Sequence, residues 1–176
     1  GLVLAFLVLP ILVVVPLSVN SDAFFTIPLA GFSWRWYAEV LGSGQWRDAI
    51  WHSIVIAVGA TTCATILGTL AAVGLANPRL PARRLVMSVL RSPLIVPVVI
   101  TAVGTYLFYA PLGLASTFGG IILAHTVVAS PFVVVTVGAS LTNFDPSLMR
   151  AAAIMGARPL AAFRLVMLPL ILPGVL

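Results

Sequence analysis

Two long intervals, residues 51–76 and 118–141, contain no charged side chain, and this constrains the chain more than any other feature. A backbone that crosses such a run without water must satisfy its own N–H and C=O groups, which a single segment achieves only as a helix. The rest of the chain offers little polar surface to enclose these runs. Of its 176 residues 61% are hydrophobic and 7% charged, with mean hydropathy +1.20. The bilayer is therefore the expected solvent, and the expected fold class is an all-α membrane protein, a polytopic helical bundle in one domain over residues 1–176.

Taken in order, residues 1–19 form a first span bent at Pro10 and Pro16. The opening Gly1 has neither an initiating Met nor a basic leader region, so a trimmed N-terminus is expected rather than a cleaved signal. Residues 20–50 read as an external loop, in which Asp22, Arg35, Glu39, Arg47 and Asp48 alternate with Trp34, Trp36, Tyr37 and Trp46 as in an interfacial belt. A short helix is expected there over 34–41. The second span, 51–76, carries Ala60, Ala64, Gly68, Ala72 and Ala76 at four-residue spacing, a seam for close helix packing against its own bundle or another subunit.

A basic turn at 77–84 leads to a third span, 85–109, with Arg91 near its start and Pro93 and Pro97 interrupting it. Arg91 reads either as a pathway charge or as a side chain that snorkels to the interface. After a turn at 111–113 comes the fourth span, 118–141, with His125, Ser130 and Pro131. A partial fifth covers 169–176. Placing the loops 77–84 and 142–168 on one side puts Arg79, Arg83, Arg84, Arg91, Arg150, Arg158 and Arg164 there, against Arg35 and Arg47 opposite. The side richer in arginine is expected to be cytoplasmic.

The loop 142–168 is neither a span nor a simple turn. Asp145 and Pro146 suit a helix start, residues 148–155 are good helix formers, and Gly156 suits a left-handed stop. Pro159 begins a second helix towards Leu168, with Pro169 and Pro173 marking entry into the last apolar segment. Leu148, Ala152 and Met155 share one helical face, and Ala151 and Ala153 keep the helix slim. Such a helix fits a groove in another protein, or lies on the membrane or its own domain.

Here the sequence resembles the ABC importer permeases. Their loop pattern is E-A-A, three residues, G, and a hydrophobic run ending in L-P. Ala151 and Ala152 take the alanine places, Gly156 the glycine, Phe163 the aromatic and Leu168-Pro169 the L-P, while Arg150 stands where the family has glutamate and reverses the charge. The runs FSWRWYAEVL and LAHTVVASPFVVV resemble the spermidine/putrescine-type permeases in particular. The resemblance implies a type I importer permease in a bacterial inner membrane, here with four full spans and the start of a fifth. It implies pairing with a second permease as a heterodimer, two ATPase subunits and an external solute-binding protein. Leu148, Arg150, Ala151, Ala152, Met155, Gly156 and Ala157 would form the ATPase-coupling helix, with Asp145, Phe163 and Pro169 supporting the loop. The implied solute is a polyamine; sulfate, ferric iron and phosphonate permeases have similar loops.

The chemistry that is missing narrows the function. All nine basic residues are arginine, so no phosphate-binding P-loop lysine exists and no cofactor is expected here; ATP and magnesium would sit on the partner ATPases. The net charge of +5 lies in membrane-flanking positions, so no nucleic-acid partner is expected. Lone Cys63 offers no disulfide and reads as a packing residue. His52 and His125, without carboxylate support, make neither a metal site nor a catalytic one, and no nucleophile motif is present. The spans contain no acid and no inverted repeat, which argues against a secondary transporter. Candidates for the solute pathway are Trp51, Thr101, Tyr106 and Phe108, with Tyr109 beside them. Thr61, Thr62, Thr65 and Thr69 either line a wet path or bond back to their own helix.

Overall fold

The computed structural model describes residues 1–22 and 31–175, except for the side chain of Leu2. Residues 23–30 of the expected external loop and residue 176 of the last expected span lie outside the described residues. Among those described the chain is helical, with one isolated bridge pairing Asn20 and Phe32. It divides into two compact units, Gly1–Ile54 and Val55–Leu176, and the long helix α3 (Gly44–Leu75) begins in the first and ends in the second.

In the first unit, α1 (Leu2–Leu17) has 16 residues and carries Pro10 and Pro16 inside it. At 1.5 Å per residue it is about 24 Å long, short of the ~30 Å hydrocarbon layer. Its large side chains, Phe6 and Ile11 among them, are exposed all round. Past its end the Ser18 hydroxyl meets the Tyr37 hydroxyl at 2.7 Å, and Trp36 Nε1 donates to the Asn20 carbonyl at 3.0 Å. The loop thus folds back on the helix end. A short helix α2 (Arg35–Gly42) forms where the sequence suggests one, its first N–H bonded by the Ser33 hydroxyl at 3.2 Å. Phe32, Trp34 and Tyr37 stack in series, with centroid separations of 5.6 and 5.4 Å.

The second unit is built on the greater part of α3 and on α6 (Phe118–Thr142), among the described residues the two helices long and apolar enough to cross a membrane singly. Both outlast the hydrocarbon layer, at about 48 and 38 Å. Ala60, Ala64, Gly68 and Ala72 of the small-residue seam are buried, whereas Ala76 is exposed. The seam faces α6. A Cβ added at Gly68 would come 2.6 Å from Val133 Cβ, and one added at Gly59 would come 2.8 Å from Ile122 Cδ1. Of the two openings left by the sequence, its own bundle takes this face. The Thr69 hydroxyl, on the same side, is buried with no partner among the described residues, whereas Thr61 and Thr62 are exposed, as is Cys63.

On α6 the polar side chains turn inward on the helix. Thr126 Oγ1 donates to the Ile122 carbonyl at 2.7 Å and Ser130 Oγ to the Thr126 carbonyl at 2.6 Å. The hydroxyls are therefore satisfied without water, just before Pro131, which supplies no N–H. The Thr117 hydroxyl caps the start, accepting from the Gly120 N–H at 3.0 Å. A side chain at Gly120 would collide with the Leu114 carbonyl, so the preceding turn packs tightly only against glycine.

The expected third span is two helices, α4 (Arg83–Ile95) and α5 (Val98–Tyr109), bent by 107°. Proline is the cause. Pro97 offers no N–H and pushes Val96 out of the helical region, to φ −73°, ψ 131°. Pro93, one turn earlier, stays within α4.

Three further helices complete the unit: α7 (Ser147–Ile154), α8 (Pro159–Ala162) and α9 (Leu168–Val175). Pro169 stands at the entry to the last apolar helix, as expected, but no gap separates that helix from the loop. From α8 the chain continues through a π-helical turn, Phe163–Met167, straight into α9. A proline normally clashes with the carbonyl four residues back and removes its hydrogen bond. The wider turn displaces that contact: the Leu168 N–H reaches back five residues to the Phe163 carbonyl. α9 packs on α6, and Ile171 with Val137 and Ala72 forms the innermost core.

Candidate functional site

Asp145 sets the start of α7. Its carboxylate accepts from the Ser147 N–H at 2.8 Å and the Ser147 hydroxyl at 2.6 Å, which places Pro146 just before the helix rather than in its first turn. The Ser147 hydroxyl, then its N–H, hold the Asp145 carboxyl below the ordinary aspartate value. The slight burial works against them and the Arg150 charge adds to them.

The other end closes equally firmly. The Ala157 N–H donates to the Ala152 carbonyl and the Gly156 N–H to the Ala153 carbonyl, both at 3.0 Å, with Gly156 at φ +84°. This paired closure needs a left-handed residue, and glycine adopts it without a Cβ penalty.

The faces of α7 differ from the shared stripe of Leu148, Ala152 and Met155. Ala152 is 3% exposed and turned into the loop, where α7 packs on α8 and the π-helical turn. Met155 is 81% exposed, and Ile154, not singled out in the sequence, is 86% exposed. Arg150, Ala151 and Gly156 are exposed too, Ala157 and Phe163 are half-buried, and Leu148 is partly exposed. A compact apolar knob of Ile154 and Met155 therefore projects from a helix fixed at both ends. Spacing identified a common face; it carried no information on which face turns inward.

A second site lies between α5 and α6, in a cleft of about 400 Å³. Thr101, Thr105, Tyr106 and Tyr109 of α5 face His125 of α6 across it. His125 Nδ1 is 2.9 Å from the Ile121 carbonyl. A carbonyl only accepts, so Nδ1 is the donor in this contact. Thr101 and Tyr106 thus come together as expected for a shared wall. Phe108 lines a neighbouring smaller cleft, its ring 5.9 Å from that of Tyr109, and Trp51 lies in the first unit, exposed on α3. The sequence left His125 either hydrogen-bonded inside the bundle or seated at its interface; its bond to the Ile121 carbonyl is within its own helix, and nothing in the sequence set it opposite the tyrosines of α5. No group of metal-ligating side chains occurs among the described residues.

No protein-family model matches the chain. Individual relatives do. It is 34% identical to the spermidine/putrescine transport system permease protein PotC of Haemophilus influenzae over 98% of its own length and 67% of that protein. Against the PotC of Escherichia coli the identity is 32%, over 97% of this chain and 64% of the relative. Against the putrescine transport system permease protein PotI of the same organism it is 35%, over 97% and 63%. The chain spans about two thirds of the length of these relatives. Its apolar crossing helices make it an integral membrane protein, and an alignment of this extent and identity means that it belongs to the family of transport-system permease proteins that contains PotC and PotI.

Proposed function

We propose that this chain is the permease subunit of an ABC importer in a bacterial inner membrane, with a polyamine of the spermidine/putrescine kind as its solute. In this reading α1, α3, the bent pair α4 and α5, and α6 supply four crossings, and α9 begins a fifth. The loop from Asp145 to Met167 lies on the cytoplasmic side.

The observation that carries the proposal is α7, a short helix stopped at both ends that presents Ile154 and Met155 and rests on a helix leading without interruption into α9. A protein docked on α7 would move α8, the π-helical turn and α9 together, and α9 is packed on α6. ATP-driven closure of two partner ATPases would thereby rock α6 and tilt the cleft beside it, a rigid-body transmission. ATP and magnesium are assigned to those partners. A second permease would complete the pathway, and an external binding protein would deliver the solute.

The polyamine assignment is supported by the relatives' names and agrees with the cleft. Tyr106 and Tyr109 offer ring faces to an ammonium, the threonine hydroxyls offer acceptors, and no acid lines the cleft. Weak, distributed acceptors suit a solute that must leave again.

Capture of the co-expressed ATPase by the full-length, detergent-solubilised permease tests the proposal. Wild type should retain it, Met155→Glu should lose it, and Arg150→Glu should report the role of the reversed charge. No retention by any of the three would remove the importer reading.

A further inference from the structure

The solute and ATPase sites leave a concentration of positive charge unused. The unit Val55–Leu176 holds seven arginines and one acid, Asp145, which is already occupied by Ser147. Arg83, Arg84 and Arg91 belong to α4, where Arg83, Met87 and Arg91 follow one another at four-residue steps along one side. Arg83 and Arg91 line a single cleft of about 480 Å³ that they share with Leu75 of α3 and with Val134, Gly138 and Thr142 of α6. Arg83 Nε donates to the Leu75 carbonyl at 2.6 Å, which ties the start of α4 to the end of α3.

The opposite character appears on the rest of α4. Leu85 and Val89 are exposed aliphatics, and the helix turns 107° away from α5. Guanidinium groups on one side and bare aliphatics on the other suit a helix whose start lies at the headgroup boundary.

We propose that α4, with the end of α6, binds the headgroup of an anionic phospholipid, its phosphate drawn to Arg83 and Arg91 in the cleft they line. Planar guanidiniums match phosphate oxygens in pairs, and no acidic side chain of this unit competes for them at the cleft. The lipid would brace the bent pair against α6 at the end of the unit where α3 stops. The proposal rests on the membrane reading of the chain, and on neither its solute nor its ATPase.

The test is native mass spectrometry of the full-length permease, co-expressed with its partner subunits and released from nanodiscs of phosphatidylcholine containing phosphatidylglycerol. Wild type should carry phosphatidylglycerol adducts in excess of their share of the lipid. Arg91→Gln, which disturbs no backbone bond, should reduce them about fivefold, the worth of one arginine at an anionic surface. Arg83→Gln should do the same if the fold tolerates loss of the Leu75 bond, and Arg158→Gln should leave them unchanged. Adducts in proportion to the lipid mixture, or undiminished in Arg91→Gln, would overturn the proposal. So would their displacement by inorganic phosphate, which would mark a free-anion site, or a cleft found covered by a partner subunit. ATPase retention by Arg91→Gln separates this outcome from failure of the importer reading.

Discussion

Two residues, Asp145 and Gly156, decide whether α7 exists, and each does so by local chemistry alone. The Asp145 carboxyl has its proton affinity lowered in the folded loop, so its contribution is complete above the ordinary aspartate value and is lost as pH falls through the lower folded value. Between pH 5 and 8 the helix start should be indifferent to pH. The protection factor of the Ser147 amide, its exchange rate divided into the intrinsic rate at each pH, should be flat across that range and fall only under acid conditions; in Asp145→Ala it should be low throughout. Gly156 acts through φ +84°, with open space where a Cβ would stand. Crowding is therefore irrelevant and backbone strain decides. Gly156→Val should cost about 1–2 kcal/mol, while Gly156→Asn, which tolerates the left-handed region, should cost less. A thermal-unfolding series on the purified permease distinguishes the two. Both residues were legible in the sequence because capping and left-handed stops depend only on residue type and neighbours. The inward turn of Ala152 was not, because it depends on what α8 places beneath it.

At the scale of elements, the useful unit is α7 together with the continuous run Pro159–Val175. The sequence places the entry to the last apolar segment at Pro169, and α9 opens there, although by rule a proline within a helix loses a hydrogen bond and meets the carbonyl four residues back. The chain evades the rule with a single π-helical turn, so the loop and the last apolar helix are continuous, as the proposed lever requires. The residue pattern gives no sign of where such a turn falls. The break at Pro97 obeys the same rule without evasion and was readable. The lever makes a specific prediction about docking. Ile154→Asp alters a side chain that is 86% exposed and touches no core. It should leave the melting temperature within about 2 °C of wild type, since surface changes stay within about 0.5 kcal/mol, and yet abolish ATPase capture. Ala152→Leu should do the reverse in order: it overfills the packing of α7 on its own loop, lowering stability first and capture only as a consequence.

For the molecule as a whole, stability in lipid cannot come from hiding apolar surface from water, because lipid tails are as apolar as leucine. It must come from close approach, and the buried residues of Val55–Leu176 show where that happens: Ala60, Ala64, Gly68 and Ala72 on α3 against α6, with Ile171 of α9 closing the core. Large aliphatic side chains such as Ile66, Leu67 and Leu70 face outward instead. The four-residue rhythm of small residues was therefore the most informative long-range signal in the sequence, and the structure supplies what it lacked, the identity of the facing helix. The same substitution at two glycines of α3 tests this division. At Gly74, where a Cβ meets nothing within 4 Å, replacement by alanine removes glycine's conformational cost and should be neutral or stabilising by up to ~1 kcal/mol. At Gly68 the new methyl group would stand 2.6 Å from Val133 Cβ and 3.2 Å from the Ser130 carbonyl, so α3 and α6 must separate. Gly68→Ala should cost about 1–3 kcal/mol, an overpacking penalty, read as a lower melting temperature in detergent. Adding Val133→Ala should recover most of the loss by making room on the facing helix, whereas Val133→Ala alone should destabilise by leaving a gap. If Gly68→Ala and Gly74→Ala melt alike, the small-residue seam does not hold this bundle together.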